Sequence, residues 1–332
     1  MELNWNKIIG HEKQKNELRT MLREGRLPHA LLFTGPAGIG KKMLGRMLSA
    51  AILCEVDDGP CGHCESCQSM RLARHPDYYE VLPEVRGKSA KVIRIEQIRE
   101  MQTIASRYPV MGKSRVVLID EVECMNEAAA NSLLKTLEEP EGQVTFILVT
   151  SARSSLLDTI VSRCMPVAFG MLPVEAMTTA LQERGVPAED AAELSALADG
   201  SLGRAVTLFE NGGLSLRNDA LSVLSQLDAM DMEKLWQLAK EKGDMEREKL
   251  EEWFLYFNML LRDMLVLYED GASPLLYHQD CRVQLAQLLP RFPEYKIFAM
   301  LREVRQMQRR LQANVNLRLQ MEGFLLRIRD LT

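Results

Sequence analysis

The chain has no long apolar run. Nowhere in its 332 residues do about 18 uninterrupted apolar side chains follow one another, the least that a membrane-spanning helix needs. Met1 to Arg26 mixes acids, bases and asparagines and lacks the apolar core of a secretory signal, so a cytoplasmic location and no membrane partner are expected. Nor is there an excess of positive charge: 46 acidic against 41 basic residues leave a formal net charge of −5. A protein that coats nucleic acid through bulk electrostatics depends on phosphate contacts and is usually basic, so any DNA contact here must come from a local patch. Internal repeats and low-complexity tracts are also missing. With 46% hydrophobic and 26% charged residues, the composition excludes a disordered tail, a collagen-like rod and a small disulfide-stapled scaffold. In the absence of an export signal the seven cysteines are expected to stay reduced, and their clustering then points to metal rather than to disulfides.

What is present divides into two halves. The first alternates compact apolar runs with helical patterns. Ala30–Thr34, Arg115–Asp120 and Val144–Val149 read as buried strands, and Pro166–Phe169 as a short fourth. Leu44, Met47, Leu48, Ala51 and Ile52 recur at helical spacing, as do Ala130, Leu133, Leu134 and Leu137 before Pro140. Continuously apolar strands separated by helices predict an α/β domain whose parallel sheet is covered on both faces. After about Gly170 the strands stop. Pro173 to Glu210 reads as three short helices, Asn211-Gly212-Gly213 as a linker, and the remainder as a helical bundle. Its stripes are Leu250, Trp253, Phe254, Phe257, Leu261, Met264, Leu265 and Tyr268, then Leu301, Val304, Gln308 and Leu311, then Leu317, Met321, Phe324, Leu325 and Ile328. Trp5, Trp236 and Trp253 are assigned to packing.

Gly35-Pro36-Ala37-Gly38-Ile39-Gly40-Lys41-Lys42 follows the first strand and opens the first helix of that unit, the context a phosphate-binding loop requires. Gly35, Gly38 and Gly40 let backbone N–H groups close around phosphates, and Lys41 would meet the β- and γ-phosphates of ATP. The next position should carry a hydroxyl to hold Mg²⁺; here it is Lys42, which cannot ligate a metal and puts hydrolysis by this chain in question. Val117-Leu118-Ile119-Asp120-Glu121 supplies the acidic half of such a site, Asp120 for the Mg²⁺ water shell and Glu121 to polarise the attacking water.

Cys54, Cys61, Cys64 and Cys67, in C-x6-C-x2-C-x2-C spacing, suit a structural, tetrahedral Zn²⁺. An iron–sulfur cluster is the rival, although the Cys-Pro ending of ferredoxin-like runs is absent. His63 reads as a solvated loop residue, and Cys124, Cys164 and Cys281 as buried thiols. Arg163, in Ser162-Arg163-Cys164, reads by itself as a surface residue or a local ion pair, whereas Arg204, in the first turn of a helix where a cation is electrostatically odd, hints at an anion contact.

Taken together these residues resemble the clamp-loader branch of the AAA+ ATPases. The resemblance runs through Ile9-Gly10-His11-Glu12, Leu27–Leu32, the P-loop, the cysteine knot, His75-Pro76-Asp77-Tyr78-Tyr79, Asn131–Pro140 and Ser162-Arg163-Cys164. It covers the first 210 residues well and returns at Ala313–Leu317. It implies an AAA+ domain over 1–169 with the zinc module at 54–67 inserted, a helical lid over 170–212 and an all-α oligomerisation collar over 213–332. It further implies a stator-like subunit that helps load a sliding clamp onto primed DNA during replication, as part of a polymerase holoenzyme whose polymerase site lies elsewhere. In that role Arg163 is an arginine finger acting in trans and Arg204 a sensor arginine. The implied partners are the motor (gamma/tau) and delta subunits, the clamp and primer–template DNA. Two alternatives stay open: a motor subunit hydrolysing ATP despite Lys42, and a zinc-dependent DNA-binding module.

Overall fold

The structure, a computed structural model, describes residues 3–85, 91–140, 142–210, 214–273, 275–311 and 316–331. The linker Asn211-Gly212-Gly213 and Ala313-Asn314-Val315 lie outside the described residues. The chain divides into two compact units: Met1–Ala180 with Gly200–Gly203, and Leu181–Asp199 with Arg204–Thr332.

The first unit is a parallel sheet of β1 (Ala30–Thr34), β2 (Tyr78–Val81), β3 (Arg115–Ile119), β4 (Val144–Thr150) and β5 (Met165–Ala168) in the order β2-β3-β4-β1-β5. Helices α1 (Glu12–Arg23), α2 (Lys41–Ile52), α3 (Glu65–Arg71), α4 (Ile95–Ala105), α5 (Glu127–Glu138) and α6 (Asp158–Val161) connect and cover it. Strand periodicity sorts the apolar residues into two layers. Leu31, Phe33, Val116, Leu118, Ile147 and Val149 pack with Leu44, Met47 and Leu48 of α2 on one face. Ala30, Leu32, Val117, Ile119, Phe146 and Leu148 pack with Ile98 and Met101 of α4 and with Leu133 and Leu137 of α5 on the other. Every residue of β1 and β3 is buried, which is why both read as unbroken apolar runs.

Strand β2 went unread in the sequence. It is the sheet edge, three of its four residues are only partly buried, and its sequence Tyr-Tyr-Glu-Val offers no apolar run. Among the described residues no strand follows Gly170, as expected, and α7 (Val174–Gln182), α8 (Ala188–Leu197) and α9 (Leu202–Glu210) are the three short helices.

The second unit continues with α10 (Leu214–Gln226), α11 (Met232–Gly243), α12 (Arg247–Glu269), α13 (Arg282–Leu288), α14 (Glu294–Leu311) and α15 (Leu317–Asp330). Its centre is α12, whose Trp253, Phe254 and Phe257 are fully buried; each such side chain is worth about 1.5–3 kcal/mol relative to exposure. The Phe254 ring meets Phe324 of α15 edge-on at 5.0 Å. Asp263, also fully buried on α12, accepts the backbone N–H groups of Tyr277 and His278 and bonds the His278 ring at 2.8 Å. Burial opposes its ionisation, but these donors outweigh that penalty and hold the carboxyl below its ordinary range.

Three packing assignments need correction. Tyr268 is 39% exposed, because its hydroxyl reaches out to the carbonyls of Leu289 and Phe292 at 2.7 Å. Trp236 is 38% exposed rather than packed, while Trp5 and Trp253 are buried. Cys124 is half-buried, sitting in a short helical turn beyond β3, whereas Cys164 and Cys281 are buried.

Candidate functional site

The loop between β1 and α2 has the backbone its glycines allow. Gly38 and Gly40 stand at φ 73° and 98°, in the left-handed region that β-carbons disfavour. The Lys41 side chain is buried, and its ammonium donates to the carbonyls of Gly35 at 2.7 Å and Pro36 at 2.5 Å. Desolvation lowers its pKa, with the carboxylates of Glu123 and Asp120 acting the other way.

Lys42 takes a different direction. Its ammonium lies 3.1 Å from Asp120 Oδ2 and 3.1 Å from Glu80 Oε1. Glu80 also receives the Arg46 guanidinium, at 3.0 Å from Nε and 2.8 Å from Nη2, and the Tyr78 hydroxyl at 3.1 Å. The parallel pairing of β2 with β3 sets Glu80 opposite Leu118, two residues before Asp120, so the network follows from sheet register. Glu121, the expected water-polarising residue, sits at φ 49° with its carboxylate bound by Lys91 at 2.9 and 3.1 Å. That hydrogen bond raises the pKa of Lys91. Sequence reasoning missed Glu80, Lys91 and also Glu123, which accepts both the backbone N–H and the hydroxyl of Ser151 at the end of β4, at 2.9 and 2.6 Å. Burial opposes ionisation of Glu123, but the Ser151 donors prevail and its pKa falls.

The cysteine sulfurs of Cys54, Cys61, Cys64 and Cys67 all lie within 4.8 Å of one another, with Cys54–Cys64, Cys61–Cys67 and Cys54–Cys67 at 3.9, 3.9 and 3.7 Å. A tetrahedron with metal–sulfur bonds of about 2.3 Å has edges of about 3.8 Å, so this geometry fits one shared ion. A multi-iron cluster, which bonds each thiolate through a different corner, needs a wider cage. Backbone N–H groups of Val56, Cys61, Cys64 and Cys67 point at the sulfurs at 3.4 Å. Cys61, bonded by the His63 and Cys64 N–H groups, is lowered to about 6, while burial raises Cys54 and Cys67. His63 turns its ring to the Cys61 carbonyl instead of the sulfurs.

His75-Pro76-Asp77 ties this module to the sheet. The His75 Nδ1 accepts the Asp77 backbone N–H at 3.0 Å, which leaves the proton on Nε2 to reach Ser66 Oγ at 2.9 Å, and Ser66 donates to Leu53 O at 2.6 Å. Asp77 itself collects the N–H groups of Val110, Met111 and Gly112 at 2.7–3.1 Å, with Arg115 at 3.5 Å.

Arg163, just after α6, donates from Nη1 to Thr159 O at 2.8 Å and pairs through Nη2 with Glu138, at the end of α5. One third of its side chain remains exposed. Arg204 lies in the second unit, at the third position of α9.

A parallel five-stranded sheet with a P-loop after β1 and an Asp-Glu pair after β3 defines an AAA+-type α/β domain. The family described as "DNA polymerase III, delta subunit" matches residues 10–173, and "DNA polymerase III, delta subunit, C terminal" matches 212–330. The Pseudomonas aeruginosa DNA polymerase III subunit delta' is 32% identical over 304 residues, covering 90% of each chain. The delta' subunit of Bacillus subtilis is 27% identical and spans 99% of this chain and all of its own. The tau subunit of Salmonella typhimurium is 34% identical over 211 residues, 61% of this chain and 32% of its own. The chain belongs to the delta' subunit family of DNA polymerase III, in the clamp-loader branch of the AAA+ proteins.

Proposed function

We propose that this chain is the stator-like subunit of a bacterial clamp loader, which helps load a sliding clamp onto primed DNA while its neighbours hydrolyse ATP. The observation that carries this reading is the division of labour between two arginine- and lysine-bearing sites of the first unit. Lys42 and Lys91 occupy the acidic pair Asp120 and Glu121, which speaks against hydrolysis here, while Arg163 keeps a partly exposed guanidinium at the end of α6. Arg163 then reaches a neighbouring subunit's γ-phosphate, a contribution of about 10³ or more in rate for a finger acting in trans.

On this reading the four cysteines hold a structural Zn²⁺, residues 1–169, 170–212 and 213–332 act as AAA+ domain, lid and collar, and Arg204 serves as a sensor arginine. The chain works in the cytoplasm, its partners being the gamma/tau and delta subunits, the clamp and primer–template DNA. The ion pairs of Lys42 disfavour the motor alternative, and the net charge of −5 disfavours a free DNA-binding module. The test is DNA-stimulated ATP hydrolysis by a reconstituted loader. Arg163→Ala should cut the rate steeply with assembly intact, and Lys41→Ala should do little; the reverse pattern makes the chain a motor.

A further inference from the structure

The residues around the P-loop do not fit a divalent cation. A Mg²⁺ ion at such a loop needs a hydroxyl from the position after the lysine and a carboxylate at the end of the neighbouring strand. Position 42 here supplies an ammonium with three donors and no lone pair. The carboxylate it should share a metal with, Asp120, is instead bonded to that ammonium at 3.1 Å, and Glu80 is bonded to it at the same distance. Both carboxylates are largely shielded, with 14% of each side chain exposed, and Arg46 and Tyr78 complete the coordination of Glu80.

We propose that the Lys42 ammonium is a tethered replacement for the divalent cation of this site. It neutralises Asp120 as the ion would, it bridges to Glu80, and it repels a free Mg²⁺ that approaches the same oxygens. The site therefore has no divalent-ion position of its own, and Asp120 stays in one arrangement whatever the metal or nucleotide concentration. This inference shares Lys42 with the stator reading and goes beyond it; the two fail separately, because that reading is tested through Arg163 in an assembled loader and this one through Lys42 in the isolated chain.

The probe is Mn²⁺ with ATP, followed by electron paramagnetic resonance on the purified full chain. Mn²⁺ prefers oxygen donors, so the cysteine module does not compete. The wild-type chain should bind no Mn²⁺ tightly, and its melting temperature in ATP should be the same with added Mg²⁺ as without it. Lys42→Thr should gain a single Mn²⁺ per chain in the presence of ATP, together with a Mg²⁺-dependent rise in melting temperature. Adding Asp120→Asn to Lys42→Thr should abolish both gains. Lys42→Met, which keeps the length of the side chain and removes only its charge, serves as a second variant and should also gain Mn²⁺, more weakly. A wild-type chain that takes up Mn²⁺ overturns the proposal. So does a folded Lys42→Thr or Lys42→Met chain that takes up none.

Discussion

Gly59 stands so close to Cys54 that a β-carbon added there would lie 2.5 Å from Cys54 Cβ and 2.7 Å from its sulfur. The backbone around it is fixed from the other side, since the buried Trp5 indole donates to the Gly59 carbonyl at 3.0 Å. Neither side can give way cheaply. Gly59→Ala should therefore displace Cys54 from the sulfur tetrahedron and weaken metal binding by about 10–100-fold, the range for lost support around a metal site. Competition with a chromophoric zinc chelator measures it, and unchanged affinity would show that the module adjusts.

A metal held by the four cysteines should also be a folding element. Four thiolates drawn from 14 residues have little apolar area of their own to bury, so a strong chelator should lower the melting temperature of the first unit and raise its protease sensitivity near residues 54–67. Calorimetry with and without chelator checks this, and Cys64→Ser should reproduce the chelated state.

Asp77 has a fully buried side chain. Burial alone would raise its pKa, yet the N–H groups of Met111, Val110 and Gly112, helped by Arg115, hold it below the ordinary carboxylate range. With a folded pKa below the unfolded one, its stabilisation is complete above about pH 4 and is lost as the pH falls through the lower, folded value. Asp77→Asn should cost about 3 kcal/mol at pH 7, as for a broken buried ion pair, and should flatten that acid limb. Urea unfolding of both chains between neutral and acid pH provides the comparison.

Glu138 pairs with the Arg163 guanidinium, and if Arg163 acts on a neighbouring subunit this pair should position it. Glu138→Gln keeps the shape and removes the charge, so it should reduce the loader's DNA-stimulated ATPase less than Arg163→Ala does. Arg163→Lys should not rescue, because an ammonium cannot bridge Thr159 O and Glu138 with a planar fork. Equal losses in Glu138→Gln and Arg163→Ala, with subunit assembly weakened in both, would make the pair structural.

In the second unit the Trp253 indole donates to Asp219 at 2.5 Å, and Asp219 also pairs with the buried Lys242 at 2.7 Å. Trp253→Phe removes one bond and keeps most of the packing, at about 1–2 kcal/mol. Lys242→Ala should cost somewhat more, about 2–3 kcal/mol, because it empties a fully buried side-chain position over the Trp253 face, while Asp219, with 36% of its side chain exposed, keeps water as a partner. Denaturant titration of the two variants orders them.

The sequence by itself determined the features whose parts are neighbours along the chain. The glycines and Lys41 lie within one strand–turn–helix unit, and the sulfurs come together because two tight C-x2-C corners leave them little choice. Strands β1, β3 and β4 were legible because a sheet covered on both faces demands apolar residues at every position. Tertiary structure decided the rest. Strand β2 lies at the edge, pays no such compositional toll, and carries Glu80; only its parallel register with β3 brings that carboxylate to Lys42 and Asp120. Lys91 meets Glu121 across a separation of 30 residues, and Ser151 meets Glu123 across 28. Nor does local sequence tell that Arg163 is held by Glu138, 25 residues earlier, since α5 and β4 must fold before the two can meet. Charge pairing over such distances leaves no periodicity in a sequence, because the partners are chosen by the sheet that carries them.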